Sequence, residues 1–289
     1  MTNTNLKKIL KGVSRSFYLS LVLLPRKIRF QMGIAFLCCK AADTIADTEL
    51  IPRGERLRLL NAYREWFAAP QENISENIFA EVVQPGGGSP AELNLLRNLP
   101  ALMSALESLE PHDWLLIQEL VLELTQGMII DLEFSAFETE LQLNDYTYYV
   151  AGCVGRFWTK IIQEHFSFAK HFGEEHFETG EKLGKGLQLV NILRDLPQDL
   201  KKGRSYIPKG MPLPKIFSLA RQYLQEYQKY CSYFPWYALR LKAVVRLPAR
   251  LGFKTLELLE SSKTWPKADL VVKVSRRQVY GALLESFFK

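Results

Sequence analysis

The chain has 289 residues, of which 47% are hydrophobic and 24% charged, which is enough apolar material for a substantial buried core. The net charge of +6 suits anionic partners, but the basic residues are spread along the chain, which argues against a nucleic-acid partner. Four cysteines without a CxxC pair predict neither a zinc site nor a disulfide framework, and they indicate reduced thiols in the cytoplasm.

The termini and the hydropathy pattern bear on where the protein works. The N-terminus lacks the apolar core of a secretion signal, and no run reaches the roughly 18 apolar residues of a membrane span. We therefore expect a cytoplasmic protein, with peripheral contact at a membrane surface left open because the chain is basic.

Helical periodicity dominates the chain from the N-terminus onward. Apolar residues at helical spacing predict helices over 31–48, 112–137, 178–193, 215–230 and 269–288. Asp145 is a candidate N-cap for a further helix through Tyr149 and Val154. Gly and Pro predict loops at 84–90 and 202–214, and we find no linker and no strand pattern. We expect one all-α domain over residues 1–289.

Two pairs of aspartates are spaced four residues apart in otherwise apolar stretches. Asp43 and Asp47 lie in KAADTIADTE, and Asp195 and Asp199 lie in LVNILRDLPQDL. Residues i and i+4 of a helix share one face, about 6 Å apart along its axis, so each pair places like charges together. Mg²⁺ relieves that repulsion because it prefers oxygen ligands and bridges carboxylates to phosphates. The pairs favour a metal–diphosphate site, and two solvated helix faces are the alternative.

The neighbours of the pairs support the first interpretation. Lys40 precedes the first pair and Arg194 lies beside Asp195, so each pair has a cation close to it. Pro197 lies inside the second pair, where it removes one helical hydrogen bond. The helix there either kinks and turns Asp199 toward a ligand, or unwinds and breaks the four-residue spacing.

An ordered series of motifs covers most of the chain. It comprises SRSF at 14–17, DTIAD at 43–47, Gly127-Met128 with Asp131, YVAGCVG at 149–155, Gln188, NILRD at 191–195 with Asp199, and GRSYIP at 203–208. This series resembles the squalene and phytoene synthases, the head-to-head prenyltransferases, and bacterial squalene synthases are the most similar group. The resemblance implies an isoprenoid-synthase-type helical bundle around a central apolar cavity.

The resemblance also implies a reaction and its partners. Two prenyl diphosphates, with farnesyl diphosphate favoured, would be joined through presqualene diphosphate, with Mg²⁺ or alternatively Mn²⁺ assisting loss of diphosphate. Squalene would form if NADPH reduces the final cation, and dehydrosqualene if a proton is lost. Stopping early would give presqualene diphosphate, and geranylgeranyl diphosphate would give phytoene. A non-catalytic helical assembly factor is the remote alternative, since such relatives lose the aspartates that this chain keeps.

The resemblance assigns roles by position in the motifs. The residues at metal-binding positions are Asp43, Asp47, Asp195 and Asp199. Diphosphate contacts fall to Ser14, Arg15, Ser16, Lys40, Gln188, Asn191, Arg194 and Arg204. Catalysis falls to Asp43, Asp195, Arg194 and Tyr149. Tyr149 would handle the carbocation or the departing proton, and its alternative is a core tyrosine.

Two further features qualify this assignment. Lys273, Arg276 and Arg277 resemble the basic stretch that squalene synthases use near the NADPH phosphate, and a solvated basic helix turn is the alternative. Lys40 stands where many relatives have Arg, which keeps the charge but loses the bidentate geometry.

Overall fold

The computed structural model describes residues 3–13, 21–48, 51–69, 89–134, 136–266, 272 and 274–288. It divides into two compact units, an N-terminal unit (Met1–Leu132) and a C-terminal unit (Glu133–Lys289). The helices that begin in the N-terminal unit are α1 (Asn3–Val13), α2 (Arg26–Asp47), α3 (Arg53–Ala68), α4 (Pro90–Arg97), α5 (Leu99–Glu107) and α6 (Pro111–Glu133).

Helix α2 supplies much of the core of the N-terminal unit. Its inner face is built from small and medium apolar residues, and Ile34, Leu37, Cys38 and Ile45 are completely buried. Tyr63 of α3 donates its hydroxyl hydrogen bond to the Cys38 carbonyl at 3.0 Å, which fixes α3 against α2. Burial raises the pKa of the Cys38 thiol to about 12, which keeps this thiol protonated at neutral pH.

The C-terminal unit is also helical. Its elements are α7 (Glu140–Thr147), a π-helical turn π1 (Tyr148–Gly152), α8 (Cys153–His165), a 3₁₀ turn (Ser167–Ala169), α9 (Glu174–Lys201), α10 (Leu213–Ser232), α11 (Leu239–Ser261) and α12 (Arg276–Phe288). The long helix α9 is central, because π1, α8, α10 and α11 all pack against it. In the part of the chain that the structure describes, no helix is long and apolar enough to cross a bilayer.

Glycines let the elements around α9 approach closely. A Cβ at Gly155 of α8 would lie 2.0 Å from the Gly180 carbonyl oxygen, and one at Gly184 would lie 2.2 Å from the Ala151 carbonyl oxygen. Neither distance is compatible with a side chain. Gly155 and Gly184 are therefore required for backbone contact, and the approach of Gly184 to Ala151 places π1 directly against α9.

The predicted all-α class is confirmed, and the described residues contain no strand beyond one isolated bridge between Ala136 and Ser205. The predicted helices are present with shifted ends. The loop predicted at 202–214 is present as a break from 202 to 212 between α9 and α10. The other predicted loop lies largely outside the described residues, and the single-domain expectation stays a prediction.

One helix start was predicted wrongly. Asp145 is not an N-cap, because it lies inside α7. The cap is Thr139, whose hydroxyl accepts from the backbone N–H of Gln142, while the Gln142 side chain accepts from the Thr139 N–H. This reciprocal capping box satisfies two backbone donors, whereas Asp145 could satisfy only one, so the earlier start is favoured.

Candidate active site

The first aspartate pair lies on α2 and is held by an ion-pair cluster. The Lys40 Nζ atom lies 2.5 Å from Asp43 Oδ2 and 3.0 Å from Glu92 Oε1 of α4. Lys40 is largely buried, whereas the Asp43 side chain is 41% exposed. One lysine thus neutralises two carboxylates from two helices and leaves Asp43 accessible to a ligand.

The ionisation of this cluster follows from its geometry. Burial alone would lower the pKa of Lys40, but the hydrogen bonds and charges of Asp43 and Glu92 outweigh it and raise that pKa. Burial would raise the pKa of Glu92, but a backbone hydrogen bond from Ser89 and the contact with Lys40 lower it. Lys40 stays cationic and Glu92 anionic at neutral pH.

Glu92 was missed in the sequence, although a local signal marks it. Ser89 and Glu92 form a capping box at the start of α4, where the Ser89 hydroxyl accepts from the Glu92 N–H and Glu92 Oε2 accepts from the Ser89 N–H. The S-x-x-E spacing therefore predicts the start of α4. Its second role, the contact of Oε1 with Lys40, depends on tertiary packing of α4 against α2.

Asp47 is the last residue of α2, one turn after Asp43, and it is exposed. The helix is unbroken between the two residues, so both carboxylates lie on one face as predicted. Around them, Thr44 and Thr48 donate their hydroxyls to backbone carbonyls of the preceding turn. The last turn of α2 is thereby fixed and presents two carboxylates at its C-terminal end.

The second pair lies on α9 and has a different counter-ion geometry. Arg194 donates from Nε to Asp195 Oδ1 at 2.8 Å and from an Nη atom to Asp195 Oδ2 at 2.6 Å. These hydrogen bonds outweigh burial and raise the pKa of Arg194. The guanidinium occupies both oxygens of its neighbour, a geometry that also suits a phosphate group.

Pro197 does not interrupt the second pair. Helix α9 continues through Pro197 to Lys201, so Asp195 and Asp199 keep their four-residue spacing on one face. Asp199 also organises the turn after the helix, because its backbone carbonyl accepts from the Arg204 N–H at 2.8 Å. Between them Gly203 has a φ of +73°, a conformation that favours glycine. The turn therefore returns Arg204 to the end of α9.

The rest of the GRSYIP loop is anchored by main-chain and aromatic contacts. The Ser205 carbonyl accepts from the Phe137 N–H at 3.0 Å, and the Phe137 carbonyl accepts from the Lys209 N–H at 3.2 Å. Tyr206 is buried and stacks on Tyr146 with ring centroids 5.0 Å apart. The loop that carries Arg204 is consequently held in place rather than loosely attached to α9.

Two amides and a tyrosine complete the predicted residues of this unit. Asn191 donates to the Gln188 side-chain oxygen at 3.2 Å, which joins the two amides one turn before Arg194. Tyr149 lies in π1 and is partly exposed. π-turns are rare within helices, and those that occur are often found at functional sites. The structure therefore adds a geometric reason to single out Tyr149, beyond its place in the YVAGCVG motif.

A buried polar network next to π1 was not predicted. Lys185 of α9 is only 7% exposed, and its Nζ lies 2.7 Å from Glu181 Oε1, 3.1 Å from Asn144 Oδ1 and 5.5 Å above the Tyr148 ring. Arg156 of α8 contacts Glu181 at 3.3 Å. Lys185 was overlooked because a single lysine in a helix is usually solvated, and its contact with the Tyr148 ring of π1 depends on tertiary packing.

Several predicted residues lie beyond these clusters. Ser14, Arg15 and Ser16 fall outside the described residues, as does Lys273. The backbone of Arg276 begins α12, and Arg277 is exposed beside it. Their predicted roles in diphosphate and NADPH binding stay predictions.

The carboxylate oxygens of the two aspartate pairs are the candidate ligands for a divalent metal ion. Among the described residues, no three or more His, Cys, Asp or Glu side chains gather closely enough to hold a metal by themselves. Mg²⁺ usually keeps several waters and binds one or two carboxylates together with substrate phosphates. Each aspartate pair supplies two hard oxygen donors, so each fits Mg²⁺, or Mn²⁺, that binds with a diphosphate.

Comparison with known proteins identifies the family. The squalene/phytoene synthase family model matches residues 10–211. The chain is 26% identical over 227 residues to squalene synthase of Candida albicans, which covers 77% of this chain and 48% of that protein. It is 29% identical over 203 residues to phytoene synthase of Thermus thermophilus, which covers 70% and 58%. The chain thus matches about half the length of these relatives.

Solved structures extend the likeness to the fold. TcSQS in complex with the ligand E5700 matches with a TM-score of 0.80 at 21% identity, over 98% of this chain and 85% of that chain. Squalene synthase HpnC of Alicyclobacillus acidocaldarius matches with a TM-score of 0.61 at 19% identity, over 96% and 94%. These structures show the same fold, and the family match over residues 10–211 shows that the chain belongs to the squalene/phytoene synthase family.

Proposed function

We propose that this protein joins two farnesyl diphosphates head to head, through presqualene diphosphate, to form squalene. The observation that carries the proposal is that two helices each present an aspartate pair at one-turn spacing, with a cation bound to the first member, Asp43 or Asp195. Relatives that are squalene and phytoene synthases support this class of reaction.

The aspartates would hold Mg²⁺, with Asp43 and Asp47 forming one site and Asp195 and Asp199 the other. The metal supplies electrostatic stabilisation of the departing diphosphate. In the first half-reaction one allylic C–O bond breaks, and the double bond of the second substrate attacks the cation. Loss of a proton closes the cyclopropane of presqualene diphosphate.

The remaining residues would bind the negatively charged diphosphates or act on the carbocation and the departing proton. Arg194 and Arg204 would bind diphosphate oxygens, because a guanidinium matches them bidentately, and Lys40 would add a point charge. Gln188 and Asn191 would complete the polar side of this site. We assign to Tyr149 the stabilisation of the carbocation or acceptance of the departing proton, since the π-turn fixes its backbone.

The fate of the intermediate in the second half-reaction determines which product forms. Reduction of the final cation by NADPH gives squalene, and the proposal places the NADPH phosphate near Lys273, Arg276 and Arg277. Proton loss instead gives dehydrosqualene, and a reaction that stops early gives presqualene diphosphate. Phytoene requires geranylgeranyl diphosphate, a longer substrate.

Product analysis tests the proposal. Purified protein is incubated with farnesyl diphosphate and Mg²⁺, with and without NADPH, and the products are identified by mass. Squalene formed only with NADPH is the expected result, and the Asp43→Ala variant serves as the inactive control. Dehydrosqualene or presqualene diphosphate in both conditions would remove the reductive step. Phytoene from geranylgeranyl diphosphate, with no turnover of farnesyl diphosphate, would overturn the assigned substrate.

A further inference from the structure

The connection between α10 and α11 exposes aromatic residues in an unusual way. Trp236 is 83% exposed and Tyr237 is 61% exposed. Of the five tryptophans, all of which the structure describes, Trp236 alone is exposed. A large aromatic side chain normally gains free energy by burial, so exposure at this level indicates a surface that contacts something apolar.

The exposure is built into a rigid turn. The Pro235 carbonyl accepts from the Ala238 N–H at 3.0 Å, so Trp236 and Tyr237 are the two central residues of a β-turn. The turn is anchored on both sides by core residues, since Phe234 and Leu241 are both buried. The Phe234 ring packs edge-on against the buried Tyr230 at 5.3 Å. The fold therefore presents the two aromatic rings at the tip of a fixed turn.

The surroundings of the turn are basic. No Asp or Glu occurs between Glu226 and Glu257, whereas six Lys and Arg residues do. Leu239, which is 49% exposed, and the exposed Arg240 follow the turn directly. Lys229 pairs with Glu175 at 2.9 Å, but Arg240 and Lys242 form no ion pair among the residues that the structure describes. Two cationic groups therefore lie beside the exposed aromatic pair without a carboxylate to neutralise them.

We propose that this turn, defined as Trp236, Tyr237 and Leu239 with Arg240 and Lys242, docks the protein on an anionic lipid surface. Trp and Tyr favour the boundary between headgroups and acyl chains because their rings are amphipathic. Basic residues at the same level are attracted to anionic headgroups. The proposal does not depend on the proposed reaction, although a membrane would also receive a very apolar product.

Vesicle binding tests the proposal with the full chain. The protein is floated with vesicles of phosphatidylcholine alone and of phosphatidylcholine mixed with phosphatidylglycerol. We expect binding to the anionic vesicles and a blue shift of the tryptophan emission that the Trp236→Ser, Tyr237→Ser variant lacks. Arg240→Gln with Lys242→Gln should weaken this binding about thirtyfold, from the attraction that each basic residue near an anionic surface contributes. Trp236→Ser with Tyr237→Ser should weaken it about tenfold or more.

A matched control distinguishes docking by this turn from non-specific binding through any exposed apolar side chain. Leu141 of α7 is 67% exposed but stands beside Glu138 and Glu140, so Leu141→Ser should leave vesicle binding unchanged. Melting temperatures should be equal for all variants, because the substituted side chains are largely outside the core. Equal binding of the wild type and the Trp236→Ser, Tyr237→Ser variant would overturn the proposal. So would self-association that needs Trp236 but no lipid, measured by analytical ultracentrifugation.

Discussion

The two aspartate pairs have the same spacing but are held in different ways. Asp43 shares Lys40 with Glu92, a residue of another helix about fifty positions later in the chain. Asp195 is neutralised by Arg194, its immediate neighbour on α9. The ion pairs of Asp43 therefore depend on the packing of α4 against α2, whereas the cation that pairs with Asp195 comes from α9 itself. Two sites that look equivalent in sequence should respond differently to distant substitutions.

The largest effect is expected from removing an aspartate. Asp43→Ala and Asp195→Ala should each lower turnover by at least about a thousandfold, because the leaving diphosphate loses electrostatic stabilisation. Melting temperature should change little, because each change removes a repulsion between two carboxylates together with a partly exposed ion pair, and such pairs contribute little to stability. Asp145→Ala, at an exposed carboxylate of α7, is the control for both measurements. A collapse of melting temperature in either variant would instead make these aspartates structural.

A smaller effect is expected from Tyr149. Tyr149→Phe should lower kcat about a hundredfold and leave KM nearly constant, because the hydroxyl acts in a chemical step rather than in substrate binding. Tyr148→Phe, which changes the neighbouring ring hydroxyl, is the matched control. Steady-state kinetics measure both. Unchanged turnover in Tyr149→Phe would remove this tyrosine from the mechanism.

The packing of α9 can be tested without touching a polar group. Gly184→Ala should lower the free energy of unfolding by about 1–3 kcal/mol, because its Cβ would collide with the Ala151 carbonyl of π1. Gly281→Ala, in helix α12 with open space around it, should instead raise it by about 0.5–1 kcal/mol. Denaturant unfolding measures both changes. Equal effects would mean that π1 does not lie against α9.

Glu92 contacts the cation of the first aspartate pair and not that of the second. Glu92→Gln should raise the Mg²⁺ concentration needed for half-maximal turnover several-fold, because Lys40 then has only Asp43 as a carboxylate partner and competes with the metal. The same change should leave the Arg194–Asp195 pair unaffected. The exposed Glu110→Gln is a control. An unchanged Mg²⁺ requirement would show that Lys40 does not compete with the metal at Asp43.

The smallest effect is a pH dependence. The pKa of Glu92 is lowered below its usual 4.5, so the stabilisation it gives is complete above that value. That stabilisation is lost as the pH falls through the lowered pKa. The difference in melting temperature between wild type and Glu92→Gln should therefore be present at neutral pH and shrink as the pH falls below 4.5 and through the lowered pKa. A difference that grows on acidification would contradict the assigned direction.

The contrast between the pairs also shows what sequence could predict. The spacing of the aspartates predicted that each pair shares one helix face, because residues four apart on a helix are neighbours regardless of the fold. The cations beside the pairs, Lys40 and Arg194, could also be read from the sequence. Glu92 and Lys185 were missed because their roles depend on contacts between elements distant in sequence. Pro197 left two outcomes open, and α9 continues through it because packing stabilises the helix on both sides.

Local rules also failed where two signals competed. Asp145 has the side chain of a good N-cap, but the capping box of Thr139 and Gln142 starts α7 earlier. The π-turn at Tyr148–Gly152 has no sequence signal of its own. It accompanies the close approach of Gly184 to Ala151, a tertiary contact that no local pattern reports.

The central claim is that both aspartate pairs bind Mg²⁺ together with a diphosphate. The most direct measurement is calorimetric titration of the wild type, Asp43→Ala and Asp195→Ala with a thio-diphosphate analogue of farnesyl diphosphate, with and without Mg²⁺. We expect binding to the wild type only when Mg²⁺ is present, and weaker binding to each variant. Binding of equal strength without Mg²⁺, retained in both variants, would contradict it.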